Sequence, residues 1–429
     1  MVSSQFLRAI ESSNQPFGRV PEAAKVKQHS CELDVPPSTL TELRSLVNAA
    51  ELGPETCENV WPGAASKYGL THSWMKEAVQ NWGDETLFNW SEIQNSINSV
   101  PHFTTTVEHC NRSYTVHYTA LFSERSDAIP IVNIHGWPGC FLEFLGIMNK
   151  LQSEHTPSTL PYHFIVLSMP GYTFSSGPPL EREDFNVYDV SRIFQSVLAQ
   201  LGFSDSPDKK YIVAGGDIGS RVARGLAVLD PACAGVHLNF CADLPMLSYS
   251  RENLSDHDRR RLQRLDEFMR EGIGYGMMHA TRPATLGFVL SSSPVALLAW
   301  LAEKYISWAD EDTTPSTETI LTFVTLYWLT QTLPRSIYPY RSDFAPSERV
   351  PSHGHPAWNI PAGKAFGYSD FPNEIQPVPK EWVEKTGRLS WYNVHDKGGH
   401  FAALERPEAV LLDLKNFVDH ALDKDRQRA

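Results

Sequence analysis

The sequence predicts an α/β fold with a mostly parallel, doubly wound sheet, an inserted helical cap and a helical N-terminal extension. The first indication is a regular alternation of short β-rich runs with helical patterns, which is typical of βαβ units. The predicted strands of this alternation are Tyr114–Leu121, Ile129–Ile134, His163–Met169, Tyr211–Ala214 and Gly235–Cys241. The second indication is that runs such as PIVNI and FIVLSM are continuously apolar, as expected for strands covered by helices on both faces.

Between about Asp243 and Asp343 the strand signal disappears, and helical spacing with crowded aromatic and aliphatic residues takes its place. We interpret this stretch, which contains SSSPVALLAWLAEKYISW and ETILTFVTLYWLTQTLPR, as a helical cap inserted into the sheet domain. Strand-like segments return around Lys364–Tyr368 and Arg388–Val394, and a terminal helix follows over about 407–422. The sheet therefore resumes after the cap.

These signals divide the chain into four parts. Residues 1–110 are expected to form a separate, Trp-containing helical N-terminal region, and residues 111–243 the first part of the core. The cap occupies residues 244–345, and residues 346–429 complete the core. Internal repeats and low-complexity tracts are absent from the sequence.

The bulk composition argues against several classes of protein. With a net charge of −13 and a pI near 5.7, the chain lacks the clustered Lys and Arg that phosphate binding requires, so nucleic-acid binding is not expected. The six cysteines lie far apart without a CxxC pair, which predicts reduced thiols rather than a zinc site or a disulfide framework. We find no signal-peptide core and no run approaching the ~20 apolar residues of a spanning helix. The expectation is a soluble cytoplasmic protein without metal or cofactor.

The segment YIVAGGDIGSRVARGLAVL places Asp217 directly after a strand and before a helix. This is the nucleophile-elbow pattern of the α/β-hydrolase fold, with Asp where serine hydrolases carry Ser. Gly215 and Gly219 permit the sharp turn because a side chain at either position would clash as the strand folds into the helix. Alone, GxDxG describes a loop turn or a metal-binding loop equally well.

A second motif, HGWPG, follows the strand Ile129–Ile134. Its turn can aim backbone N–H groups at a developing oxyanion, and we assign the two donors to Trp137 and Ile218. By itself the motif is also consistent with a tight Pro-Gly turn.

The third motif supplies a base, and a nearby loop supplies an acid. In NVHDKGGHFAALERPE, His400 lies in a Gly-bounded loop after a strand and before the last helix, where this fold carries its base. The order nucleophile, acid, base then predicts the acid in the loop DFPNEIQPVP, and Glu374 fits this position best. Asp370 in the same loop is the rival, whereas Asp396 is too close in sequence to His400.

Taken together, GGDIGS, HGWPG, SMPGYTFSSGPP and GGHFAALERPE resemble the microsomal-type epoxide hydrolases, particularly their soluble fungal members. The resemblance covers nearly the whole chain, since WMKEAVQNW is similar to the family's N-terminal domain and GYGMMHATRP to its cap. It implies Glu374 as the acid and two cap tyrosines that donate hydrogen bonds to the epoxide oxygen. By local motif these are Tyr275 and Tyr340, with Tyr338 as the competitor of Tyr340. The membrane anchor of vertebrate members is missing here, so a stable membrane anchor is not expected.

The nucleophile selects the reaction class. Serine attack on an epoxide carbon would give an ether that water cannot readily cleave, whereas aspartate gives an ester open to hydrolysis. The sequence therefore predicts an epoxide hydrolase acting on a small apolar epoxide, with detoxification and secondary metabolism both compatible. A haloalkane dehalogenase and a non-catalytic ligand-binding relative remain the alternatives, and a homodimer is one of the open oligomeric states.

Overall fold

Ten strands form one mixed sheet in the computed structural model, which describes residues 5–11, 15–204, 210–344 and 355–426. The strands are β1 (Leu7–Ala9), β2 (His29–Leu33), β3 (His102–His109), β4 (Arg112–Leu121), β5 (Ile129–Ile134), β6 (Tyr162–Leu167), β7 (Tyr211–Gly215), β8 (Cys233–Leu238), β9 (Ala365–Asp370) and β10 (Leu389–Val394). Their order in the sheet is β1-β2-β3-β4-β6-β5-β7-β8-β9-β10. Strands β5 to β10 run parallel, whereas β1 to β4 pair antiparallel with their neighbours. The mostly parallel sheet predicted from the alternating pattern is confirmed.

The helices complete the layers on the sheet. They are α1 (Pro37–Ala49), α2 (Cys57–Val60), α3 (Ala64–Lys67), α4 (His72–Gly83), α5 (Trp90–Ile97), α6 (Leu145–Glu154), α7 (Val187–Gln200), α8 (Asp217–Leu229), α9 (Asp256–Glu267), α10 (Gly274–Thr281), α11 (Pro283–Ser291), α12 (Pro294–Ser307), α13 (Thr317–Leu329), α14 (Thr332–Ser336), α15 (Arg341–Phe344), α16 (Lys380–Val383), α17 (Ala402–Glu405) and α18 (Pro407–Arg426). Helix α7 packs on α8, and α18 packs on α6, β8 and β9. Every residue of β6 and β7 is buried, which accounts for their continuously apolar sequences.

The expectation of a separate helical region over residues 1–110 is wrong. Besides α1 to α5, this region contributes β1, β2 and β3, which extend the main sheet. Strand β3 joins β4 through a two-residue turn whose central residues, Cys110 and Asn111, have φ values of 49° and 59°, as a type I′ hairpin requires. The strand was missed because HFTTTVEH carries histidines and threonines rather than a long apolar run, although β-branched threonine favours strands.

The helical cap predicted after β8 is confirmed. Helices α9 to α15 all lie between β8 and β9, and the described residues of this insertion contain no strand. The predicted limit between cap and core, at residues 345 and 346, lies outside the described residues. Among the residues that are described, we find no single helix with the length and apolar character to cross a membrane. Helices α11 and α12, which meet at a bend of 117°, pass those two criteria only as a pair.

Strands β5, β7, β9 and β10 carry the predicted site motifs at their carboxyl ends. Since parallel strands present these ends at one edge of the sheet, loops far apart in sequence converge there. The topology therefore gathers HGWPG, Asp217, the DFPNEIQPVP loop and His400 beneath the cap.

Candidate active site

Asp217 lies at the tip of the bend between β7 and α8. Its backbone φ is 45°, in the left-handed region that Asp tolerates better than most residues. A Cβ atom on Gly215 would lie 2.5 Å from the carbonyl oxygen of Gly219, and one on Gly219 would lie 2.2 Å from that of Ile134. Because neither position leaves room for a side chain, both glycines are needed for the bend.

The carboxylate of Asp217 is held by backbone donors. The N–H of Trp137 donates to Asp217 Oδ1 at 2.8 Å, and the N–H of Ile218 is a second donor. Burial by itself would raise the pKa of Asp217, but His400 and the two N–H groups outweigh it, so the pKa lies below its ordinary value. The side chain keeps 16% of its surface exposed, so an ionised carboxylate remains accessible to a ligand.

His400 connects Asp217 to Glu374. Its Nε2 lies 3.5 Å from Asp217 Oδ2, and its Nδ1 lies 2.7 Å from Glu374 Oε1. The same Glu374 oxygen accepts the N–H of Ile375 at 2.6 Å, which fixes the carboxylate in its loop. Burial would lower the pKa of His400, but Glu374 and Asp217 raise it well above its ordinary value. The imidazole is therefore protonated while the Asp217 carboxylate is ionised.

The rival carboxylates have other surroundings. Asp370, at the end of β9, forms an ion pair with Arg261 of the cap and accepts a hydrogen bond from Tyr392. Asp396 is exposed. Of the three carboxylates considered for contact with His400, the structure brings Glu374 to it.

Two cap tyrosines lie next to Trp137. The ring of Tyr275, on α10, stacks on the Trp137 indole with centroids 5.3 Å apart and an interplanar angle of 12°. Tyr340 meets Tyr275 edge to face at 5.6 Å, and its buried hydroxyl lies near the hydroxyl of Tyr275. The hydroxyl of Tyr338 instead donates to the carbonyl oxygen of Pro170 at 3.2 Å. Tyr275 and Tyr340 thus join the cluster around Asp217, whereas Tyr338 has a structural partner elsewhere.

One group of potential metal ligands lies outside this site in the part of the chain that the structure describes. The ligand atoms of His109, Cys110 and Asp189 lie within 4.8 Å of one another. Asp189 Oδ1 is already engaged by His109 at 2.7 Å and by the Arg182 guanidinium at 3.2 Å. A fixed positive charge on the only carboxylate of the group opposes cation binding there.

Comparison with known proteins shows the family of this chain. Residues 28–144 match the family model described as "Epoxide hydrolase N terminus", and residues 129–242 match "alpha/beta hydrolase fold". The structure of Aspergillus niger epoxide hydrolase has 41% sequence identity and a TM-score of 0.85, covering 95% of this chain and 100% of that one. This chain belongs to the microsomal-type epoxide hydrolase family.

Two further relatives show how far the likeness of this epoxide hydrolase extends. Epoxide hydrolase 1 of Sus scrofa is 29% identical over 385 residues, which is 82% of this chain and 81% of the relative. The structure of juvenile hormone epoxide hydrolase from Bombyx mori shares 21% identity with a TM-score of 0.78, which supports the fold alone. The family and fold expected from the sequence motifs are confirmed.

Three residues of this epoxide hydrolase that support the site were missed from the sequence. The hydroxyl of Tyr305, on α12, donates to the carbonyl oxygen of Pro138 at 2.8 Å, and that of Tyr327, on α13, donates to Gly139 at 2.8 Å. Both phenols are fully buried, and nothing in an aromatic-rich helix distinguishes them from core residues.

The third missed residue is Glu405, which holds the loop of His400. Its carboxylate accepts the N–H groups of Gly399 and Phe401, each at 2.9 Å. Its place in GGHFAALE, five residues after the histidine, was the one available signal.

Proposed function

We propose that this epoxide hydrolase converts an apolar epoxide to a vicinal diol through an alkyl ester on Asp217, which is then cleaved by water activated by His400 and Glu374. One observation carries the proposal: His400 bridges the two carboxylates. Its Nε2 lies 3.5 Å from Asp217 Oδ2, and its Nδ1 lies 2.7 Å from Glu374 Oε1. Nucleophile, base and orienting acid are thereby connected.

In the first step an Asp217 oxygen attacks a ring carbon and the carbon–oxygen bond of the strained ring breaks. The depressed pKa of Asp217 supports this role, because the carboxylate is ionised at neutral pH. Negative charge develops on the ring oxygen, which takes a proton from the cap. Serine at this position would leave an ether without a carbonyl for water to attack.

Tyr275 and Tyr340 are the proposed donors to the ring oxygen. Burial raises the pKa of both phenols, so each keeps its proton at neutral pH and is available to donate it. Tyr340 is favoured over Tyr338 because the Tyr338 hydroxyl is already bonded to Pro170.

Esterification removes the charge of Asp217, so His400 gives up its proton, which restores the cap tyrosine that protonated the ring oxygen. In the second step the neutral His400 takes a proton from water, and the hydroxide forms a bond to Cγ of Asp217. Backbone N–H groups of Trp137 and Ile218 stabilise the resulting oxyanion. Collapse breaks the bond between Cγ and the alkyl oxygen, which takes the remaining proton of the attacking water. Asp217 is left ionised beside protonated His400, which is the starting state.

Removing the Tyr275 hydroxyl should slow ring opening by roughly 10²-fold, because one donor to a developing charge is lost. The variant Tyr275→Phe keeps the ring that stacks on Trp137, so the fold should be unchanged. Rapid-quench measurement of ester formation from styrene oxide gives the rate, and Tyr340→Phe should behave similarly.

Tyr338→Phe is the matched control for these variants. Its lost hydroxyl contacts Pro170 rather than the site, so ester formation should proceed near the wild-type rate. Equal effects at Tyr338 and Tyr340, or unchanged ester formation in Tyr275→Phe, would contradict the donor assignment.

The covalent route has a direct isotope test. Under single turnover in heavy-oxygen water, the label should enter the Asp217 carboxylate and not the first diol, because water attacks Cγ rather than the epoxide. Peptide mass spectrometry locates the label in the protein. Label found in the first diol would exclude the ester.

Two alternatives are separated by simple assays. A haloalkane dehalogenase also uses Asp, His and a second carboxylate on this fold, and the buried indole Nε1 of Trp137, unpartnered among the described residues, resembles a halide donor. Halide release from a chloroalkane without diol formation would favour that activity. A ligand-binding relative would bind styrene oxide and yield no diol.

A cytoplasmic location and assembly as a homodimer are also proposed for this epoxide hydrolase. All six cysteines are free thiols, which supports a reducing, cytoplasmic location. A homodimer is tested by light scattering on the purified protein.

A further inference from the structure

A fourth carboxyl group lies beside the site and has no part in the steps above. Glu143 belongs to the short 3-10 turn Phe141–Phe144, which directly follows HGWPG. Its side chain folds back over that motif, since a Cβ atom on Gly139 would lie only 1.5 Å from Glu143 Oε1. The residue is 9% exposed, so a polar side chain is buried against the oxyanion turn.

One oxygen of this carboxyl group is unsatisfied. Oε1 of Glu143 is buried and has no hydrogen-bond partner among the described residues. Leaving such an atom without a partner is destabilising unless water or a ligand completes its bonding. Glu143 lines the same cavity as Asp217, Trp137 and His400, and this cavity has room for a water molecule.

The protonation state of Glu143 suits it to hold water. Burial raises the pKa of Glu143 to about 8, with Asp217 adding to the rise and with His400 and the backbone N–H of Cys140 opposing it. At neutral pH the group is therefore mainly a neutral acid, which both donates and accepts hydrogen bonds. A neutral acid also leaves the pairing of His400 with Glu374 undisturbed.

We propose that Glu143 holds the water molecule that cleaves the ester on Asp217. The assignment rests on the proposed function. Water bonded to Glu143 Oε1 is fixed with one hydrogen on that oxygen and the other directed to His400 Nε2, so that its lone pair faces Cγ of Asp217. His400 removes the proton as the oxygen bonds to Cγ, and the ester then collapses as described above. Ring opening needs no water and is independent of Glu143.

The test measures the two half-reactions separately with styrene oxide. Rapid quench followed by intact-mass analysis gives the rate of ester formation and the rate of ester loss. In Glu143→Leu, ester loss should slow by roughly 10- to 100-fold because the water is no longer positioned, while ester formation stays at the wild-type rate. Glu143→Gln keeps the size, the neutral charge and both hydrogen-bonding functions, and should restore ester loss to near the wild-type rate.

Two variants guard against a purely structural effect. Glu143→Met offers a flexible apolar side chain in case the leucine does not fold, and should behave as Glu143→Leu. Leu142→Val perturbs the packing of the same turn without changing a polar group, and should leave the ratio of the two rates unchanged.

The outcomes separate this inference from the proposed function. Wild-type rates of ester loss in Glu143→Leu and Glu143→Met, equal slowing of both half-reactions, or a Glu143→Gln variant as slow as Glu143→Leu would each overturn the role of Glu143. Absence of any ester on Asp217 in the wild-type protein would instead overturn the proposed function.

Discussion

Replacing Asp217 by asparagine is expected to lower epoxide turnover by roughly 10⁴-fold or more, the size of effect seen when a nucleophile is removed. The amide retains the shape of the carboxylate and tolerates the backbone φ of 45°, so the bend between β7 and α8 should be kept. The neutral side chain cannot attack the ring carbon. Diol formation from styrene oxide measures the loss.

The control for this variant is a measurement of its intact mass, which shows whether the asparagine has been retained. Deamidation would regenerate Asp217 and restore activity, and intact-mass analysis detects that change. Unmodified Asp217→Asn that turns over styrene oxide near the wild-type rate would exclude Asp217 as the nucleophile. An unchanged thermal unfolding midpoint would show that the loss of activity is chemical.

Replacing His400 by glutamine should arrest the reaction after ring opening. Ester loss is expected to fall by roughly 10³-fold, because no base remains to deprotonate water, while Asp217 is still able to attack. The variant should therefore accumulate one alkyl group per protein, detected as a mass increase equal to that of styrene oxide. A protein that stays unmodified while the wild type turns over would contradict the division of labour between Asp217 and His400.

The pH dependence of the wild-type protein follows from the same charges. In the free protein, Glu374 and Asp217 outweigh burial and hold the pKa of His400 well above its ordinary value. Esterification removes the charge of Asp217, so the pKa of His400 falls and the imidazole releases its proton. Ester loss should accordingly rise with pH until His400 is neutral, and rapid quench over a pH series measures this.

The local motifs were readable from the sequence because neighbouring residues determine them. Gly215 and Gly219 permit the bend that Asp217 occupies, and their spacing is visible without a fold. Sequence position alone does not separate Glu374 from Asp370, because the two carboxylates lie four residues apart, and burial does not separate them either, because both are 1% exposed. The two carboxylates are distinguished by Arg261, a cap residue 109 positions before Asp370 that forms an ion pair with it.

Long-range contacts explain the other differences. Tyr338 and Tyr340 are two residues apart, and only the fold shows that the first reaches Pro170 and the second reaches Tyr275. No sequence motif marks Glu143 in FLEF as a site residue, and only the fold places its side chain against the oxyanion turn. Partners contributed by distant loops are not encoded in spacing.

The hydroxyls of Tyr305 and Tyr327 connect helices α12 and α13 of the cap to the oxyanion turn, so these helices and the turn are expected to move together. If α12 and α13 moved away from the sheet, the two carbonyl groups would lose their hydrogen-bond donors, at a free-energy cost of about 1–3 kcal/mol each. Substitutions in these two helices that admit bulkier epoxides are therefore expected to change the rate of diol release as well as the fit of the substrate, unless both hydroxyls are kept.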